Sequence, residues 1–444
     1  MRILQVIICL NFCFFFTLTG NAQPEEYVKE AFERNIDFVY KENIHGVQLI
    51  RNGDPFDYPI VGDGDRLELL FDDLDNDVKD YSYTLIHCNA DWTPSNLNQL
   101  EYINGFAYAD ILDYEYSFNT EIQYTNYRVV LPNDDMEWTK SGNYLLKVFV
   151  NNNEEDIVLT RRFMVVEPRM NVNAELVRPF AIERFKSHHE IDFVVNHRGI
   201  TVRSPKTEIN VAILQNGRWD NAITGLEPLF IRGDDLIFDY QNQIVFQAGR
   251  EFRFFDARST RFRSDRIREI EEADGMYHLS VSTDKVRSGV LDQQFADING
   301  AFCIGNFHED EPDLESDYVR VYFELPYDQP DPFGEIYIFG KLTDWQLKEE
   351  FKMQYNENYR AYIGSAFLKQ GYYNYQYVYL QDGAEVVDFE LIEGNWWETD
   401  DDYHILVYYR PFGERYDRLV GISYLNSNPI RNSRRLGVLR LENK

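Results

Sequence analysis

A chain of 444 residues exceeds what one core organises, so roughly two to four domains are expected. Its 75 acidic residues outnumber 44 basic ones, a formal charge of −31, which argues against nucleic acid or an anionic membrane surface as partner. Aromatics are abundant, 31 Tyr and 32 Phe, and suit strands and flat contact surfaces, so the expectation is a mainly β chain.

Residues 1–22 combine an early Arg2, a long apolar run and small residues at Gly20 and Ala22. This is the pattern of a secretory signal peptide cut near Ala22, and Cys9 and Cys13 belong to it. No Cys stands at the cleavage point, which argues against a lipid anchor. No later run is long and apolar enough to span a bilayer, so the mature chain is expected outside the cytoplasm without direct membrane insertion.

Residues 36–167 read as a first β-sandwich domain, from strand patterns such as HGVQLI, RLELLF, YSYTLIH, YRVVL, NYLLKVFV and IVLTRRFMVV. Within it, Asp65 to Trp92 reads as a β-hairpin: Leu67, Leu69 and Phe71 alternate with polar residues, and Tyr81, Tyr83 and Leu85 share one face of the return strand. The turn holds Asp73, Asp75 and Asp77, a D-x-D-x-D that invites a calcium reading. An EF-hand loop counted from Asp73 needs Gly where Val78 stands and Glu where Thr84 stands, so turn chemistry is the better account and no metal is expected. His87 and Cys88 are neighbours on a strand and point to opposite faces. The insertion 90–113 carries Trp92, Tyr102, Phe106 and Tyr108 and is either a packed flap or a binding loop.

The blocks FDDLDNDVKDYSYTLIHCNADWTPSNLNQLEYINGF, YSFNT, YRVVLPNDDM, SGNYLLKVFV and LTRRFMVVEPRM follow one another between about Val47 and Met170. In wording and order they resemble the N-terminal domain of the plug proteins of the type IX secretion system.

Pro168 ends this domain, because proline cannot donate to a continuing ladder. A second β-rich domain is expected over 168–325. It contains an Arg-rich run, Arg258, Arg261, Arg263, Arg266 and Arg268, which reads as a solvated or internally paired surface, with contact to an acidic partner as the alternative. His188-His189-Glu190 lacks the second His that a zincin helix supplies. Cys88 and Cys303 fall in different expected domains and read as two buried thiols, although an oxidising compartment leaves pairing open.

The segment 326–332, PYDQPDP, reads as a Pro-stiffened linker. Residues 333–430 then resemble the early-set immunoglobulin-like modules that include glycogen- and starch-binding domains, on a strand leading to Gly340 and Trp345 and a Tyr-rich strand leading to an Asp382-Gly383 turn. The second aromatic platform of those sugar-binding modules has no counterpart, since Ala384 and Glu385 follow the turn. The block EGNWWETDDDYHILVYYRPFGERYDRLVG, 393–421, again resembles the plug family. A short basic tail, 431–444, closes the chain.

The fold class expected is therefore tandem β-sandwich domains, immunoglobulin-like or early-set, joined by short linkers. The resemblance implies a periplasmic interaction protein whose partner is the large outer-membrane β-barrel of the type IX translocon, held at the barrel's periplasmic mouth when it is empty and released by cargo. The aromatic residues Trp92, Tyr102, Phe106, Tyr108 and Trp396 are its candidate contacts. The alternative is a secreted carbohydrate-binding protein working through Trp345. No G-x-S-x-G elbow, P-loop or dinucleotide fingerprint is present, so neither an enzyme nor a cofactor is expected. A hydrolase would instead require a cleft holding a carboxylate of raised pKa.

Overall fold

The structure is a computed structural model that describes residues 33–290, 295–308, 311–384 and 386–428. The expected signal segment, with Cys9 and Cys13, and the basic tail lie outside these residues. The described chain is mainly β, and its α-helices are single turns, such as Gln99–Tyr102 and Pro312–Glu315.

The first sandwich closes over two sheets. One has the strand order Phe38–Val39, Asn153–Val165, Gly142–Val150, Tyr81–Cys88, Ala109–Asp110; the other runs Ile44–Arg51, Leu67–Asp73, Thr125–Leu131, Asp113–Tyr116. The expected hairpin is corrected here. Leu67–Asp73 pairs with Ile44–Arg51 and Thr125–Leu131, whereas Tyr81–Cys88 pairs with Gly142–Val150, so the acidic turn crosses from one sheet to the other. Two alternating strands look the same to the sequence whether they pair side by side or face each other across a core. These two face each other: Phe71 stacks on Tyr127 at 5.2 Å and meets Tyr81 edge-on at 5.3 Å.

The second sandwich is discontinuous. One sheet holds Asn171–Val177, His188–Asn196, Asp235–Phe238 and Phe230–Arg232, and the other sets Ile209–Gln215 beside Asp402–Tyr409, followed by Arg418–Asn426. Its core mixes Ile191, Phe193, Val211 and Ile213 with Tyr403, Ile405 and Val407. The third sandwich occupies the chain between these halves, with Phe255, Ile267, Val321, Phe323, Ile338, Tyr373, Tyr375 and Tyr377 in one core.

The expected boundaries at 325 and 333 therefore fall inside one sandwich. Pro326 is the last residue of the strand Tyr318–Pro326, and the Pro-rich segment crosses to Gly334–Phe339 in the facing sheet. It is tied down on the way, Tyr327 N donating to the Arg360 carbonyl at 3.0 Å and Asp331 N to the Tyr362 hydroxyl at 2.8 Å. Proline ends strand pairing wherever it sits, so it marks a sheet-to-sheet crossing as readily as a linker.

The sandwiches are fused by buried faces. Every residue of Gly142–Val150 is buried, because Tyr144, Leu146 and Val148 serve the first core while Leu145 turns outward. There Leu145, Ile60, Cys88, Trp92 and Met164 pack with Ala212, Leu214, Leu406, Tyr408 and Leu419 of the second sandwich. At the junction of first and third sandwiches, Lys369 Nζ and the Tyr318 hydroxyl each donate to Asp72 at 2.6 Å, deep in protein. Gly46 lets the backbone pass over this pair: a Cβ there would lie 2.7 Å from Asp72 Oδ2, and its φ of +60° also favours glycine.

Candidate functional site

The expected contact residues separate into two groups. Trp92 is 4% exposed and forms a wedge between sandwiches, edge-on to Trp219 at 5.1 Å and under the Arg162 guanidinium at 4.3 Å. Tyr102, 7% exposed, belongs to the first core and donates to the Leu85 carbonyl. Neither offers a surface that a partner can reach, which corrects that part of the expectation. Phe106 and Tyr108 are 64% and 46% exposed. The insertion is thus a packed flap at Trp92 and Tyr102 and an open surface beyond them, at Phe106 and Tyr108.

The single-turn helix Gln99–Tyr102 sets this geometry. Asn98 caps it, with its side chain on the Leu100 amide and Glu101 reaching back to the Asn98 amide, so Tyr102 turns inward and Leu100 outward. The strand Ile103–Gly105 then pairs with Met136–Trp138 and leaves Phe106 beyond its end. Past Ala109–Asp110 the chain crosses to the second sheet as its edge strand, Asp113–Tyr116, every residue of which is exposed. Leu112, Tyr114, Tyr116 and Phe118 extend the exposed apolar surface, with Asp110, Asp113 and Glu115 among them. These apolar residues were missed from sequence. The pattern D-Y-E-Y reads as an ordinary half-buried strand, and only its place at the edge exposes both faces.

The tryptophans of the C-terminal half are half-buried and each meets an arginine of the fold. Trp396 lies under Arg250 at 5.3 Å and Trp397 under Arg178 at 4.4 Å, and the Trp397 carbonyl bonds the His189 imidazole at 2.7 Å. Trp345 is held between Phe252, Phe339 and the Arg218 guanidinium, 4.9 Å from its ring. The guanidinium over the ring and the two aromatic neighbours leave Trp345 half-buried, so it does not stand free as a sugar platform. The Arg-rich run is internally engaged: Arg258 grips Asp256, Arg266 meets Asp284, Arg268 meets Glu324, and Arg263 donates to the Arg268 carbonyl.

Asp73, Asp75 and Asp77 do converge, as a cation site would, but their centre is taken by Lys79, whose Nζ lies 2.7 Å from Asp73 and 3.3 Å from Asp77. Cys88 and Cys303 do not form a disulfide; Cys88 is buried, which pushes its thiol up to about 12, and Cys303 is half-buried rather than buried as expected. Burial raises Asp192 and Asp317 to about 6. Asp317 is closed off by the Glu121 and Ile122 amides and, like Asp192, lines neither of two clefts in the molecule, whereas Asp313, also raised by burial, lines the smaller one beside Asp113 and Arg128. Glu393 would also be raised by burial, but Arg253 and Arg287 hold it at about 2. A cleft of about 430 Å³ lies between the first and third sandwiches. No helix among the described residues is long and apolar enough to cross a membrane.

A family model described as the type 9 secretion system plug protein, first domain, matches residues 44–167. The crystal structure of a hypothetical protein from Parabacteroides merdae is similar at 35% identity and a TM-score of 0.85, covering 89% of this chain and 100% of that one. No curated protein matches.

Proposed function

The chain belongs to the type IX secretion system plug family, and from that premise we propose that it closes the periplasmic mouth of the system's large outer-membrane barrel while the barrel is empty and leaves when cargo loads. The observation that carries this reading is the discontinuous second sandwich. With the third sandwich inserted between its halves and its returning strands packed on the first, the molecule is one braced body. A plug has to resist being threaded or bent. A body whose C-terminal strands lock its N-terminal domain meets that demand better than modules on a string.

The contact face in this reading is the exposed surface around Phe106, Tyr108, Leu112 and Tyr116. Aromatic and aliphatic groups mixed with Asp110, Asp113 and Glu115 give an interface that holds and still releases, unlike the apolar faces of permanent assemblies. The protein acts in the periplasm and by binding alone, without catalysis or a cofactor. In support, Glu393 and Asp317 are locked by partners within the fold.

The test is affinity purification of the tagged protein from gently solubilised envelopes. A very large outer-membrane barrel should be recovered, less of it when cargo occupies the channel, and less again with Phe106→Asp and Tyr108→Asp together. Failure to recover a barrel under any loading would refute the plug reading. Undiminished recovery with the double variant would refute only the face.

A further inference from the structure

The cleft of about 430 Å³ between the first and third sandwiches has the size of a small-ligand site, ~300–1,000 Å³. Part of its wall is apolar, formed by Ile44, Phe302, Ile304, Phe351 and Phe367. Its charge runs against the rest of the molecule: six lysines and arginines line it against four carboxylates, in a chain of net charge −31. Four of those cations are answered within the protein, Lys41 by Asp156, Lys369 by Asp72, and both Arg161 and Lys348 by Asp344.

Two are not. Among the described residues, Arg320 and Lys341 have no carboxylate within ion-pair distance. The Arg320 guanidinium lies over the Phe367 ring at 5.2 Å, and Lys341 Nζ donates to the Pro55 carbonyl at 3.3 Å. An ammonium carries three donors and a guanidinium five, so both retain unused capacity. Burial pulls the Lys341 ammonium below its ordinary range although Asp37, Asp344 and Asp54 lie near enough to raise it, none of them within ion-pair distance. His45, edge-on to Tyr318 and Phe367, is also lowered by burial.

We propose that this cleft binds a hydrophobic carboxylate, a carboxyl group carried on an aromatic or aliphatic body. The carboxylate answers Lys341 and Arg320, the planar guanidinium being able to take both oxygens, and the apolar body lies against the wall of Phe302, Ile304 and Phe351. The same chemistry is offered by the apolar C-terminus of a peptide and by a free small acid. The site is independent of the plug reading, since it lies on the chain's own junction.

The test is calorimetric titration of the full chain with three probes: 3-phenylpropionate, acetyl-Gly-Val-Phe with a free carboxyl group, and the same peptide as its C-terminal amide. The acids should bind roughly tenfold or more tighter than the amide, and Arg320→Gln should remove a similar factor. Saturation by the peptide acid alone assigns the site to peptide termini, and saturation by 3-phenylpropionate assigns it to free acids; both support the site. Lys341→Met is the second variant, compared by melting temperature because Lys341 also bridges to Pro55. Arg320 forms no ion pair, so its substitution keeps the test clear of misfolding. Equal binding of acid and amide, an Arg320→Gln titration like that of the parent, or no saturation by either acid at concentrations on the order of 10 mM overturns the proposal.

Discussion

Lys369→Met removes the cation from a junction that joins distant parts of the chain. Asp72, on Leu67–Asp73 of the first sandwich, and Lys369, on Ala361–Lys369 of the third, are 297 residues apart in sequence and 2.6 Å apart in space. Both are buried, and Lys369 also donates to the Asp313 carbonyl at 2.7 Å and lies over the Tyr124 ring at 4.2 Å. Losing one partner of a buried pair costs about 3–5 kcal/mol, because a charge is left in protein without its counterion. Asp72 keeps two donors, the Tyr318 hydroxyl at 2.6 Å and the Asn126 amide at 2.7 Å, which places the expected cost near the lower end, about 3 kcal/mol. Because three sandwiches need not unfold together, the readout is local. Hydrogen exchange at the Glu121 and Ile122 amides, which donate to Asp317 across the same junction, should speed up roughly a hundredfold, at about 1.4 kcal/mol per factor of ten. Adding Asp72→Asn should recover much of this loss, since the amide removes the stranded charge and can still bond Asn126 and Tyr318. Simple additivity of the two substitutions, or an unchanged exchange rate in Lys369→Met, would refute the reasoning.

Three further outcomes follow from the geometry. Trp92→Ala should destabilise the contact of first and second sandwiches by about 3–5 kcal/mol, whereas exposed Phe106→Ala should stay within about 0.5 kcal/mol by urea unfolding. Burial holds His404 at about 4 in the folded chain against an ordinary 6.5, so the unfolded state gains protons first as pH falls and stability drains between those values. His404→Phe, which also removes a buried Nδ1 with no partner, should flatten the fall in melting temperature across that window. Asp317 has the opposite sign: raised to about 6 by burial from an ordinary 3.8, it contributes stability at low pH that is lost as pH rises through 6, and Asp317→Asn should abolish that loss when melting is followed from acid to neutral pH.

The strands of the first domain were legible because alternation is a local property, and Tyr81, Tyr83 and Leu85 do share one buried face. Their partners were not legible, and the supposed hairpin spans two sheets. The contact residues divided for a similar reason. Trp92 and Tyr102 look no different in sequence from Phe106 and Tyr108, but the first pair packs into the fold and the second, further along the insertion, stands open. The Arg-rich run reads from sequence as a solvated or internally paired surface, and the structure decides between the two, with Asp256, Asp284 and Glu324 as partners.

What the chain's sequence determined alone is its β character, its abundance of aromatic side chains and its family, because period-2 patterning and the order of motif blocks are written residue by residue. The tertiary structure decided which sheet each strand joins, that the second sandwich is closed by Asp402–Tyr409 and Arg418–Asn426, and which aromatic side chains remain at the surface. A strand's edges carry the same backbone donors and acceptors whatever its side chains. The choice of partner therefore rests on which apolar faces fit together once all three sandwiches are assembled, and that information is spread over the whole chain.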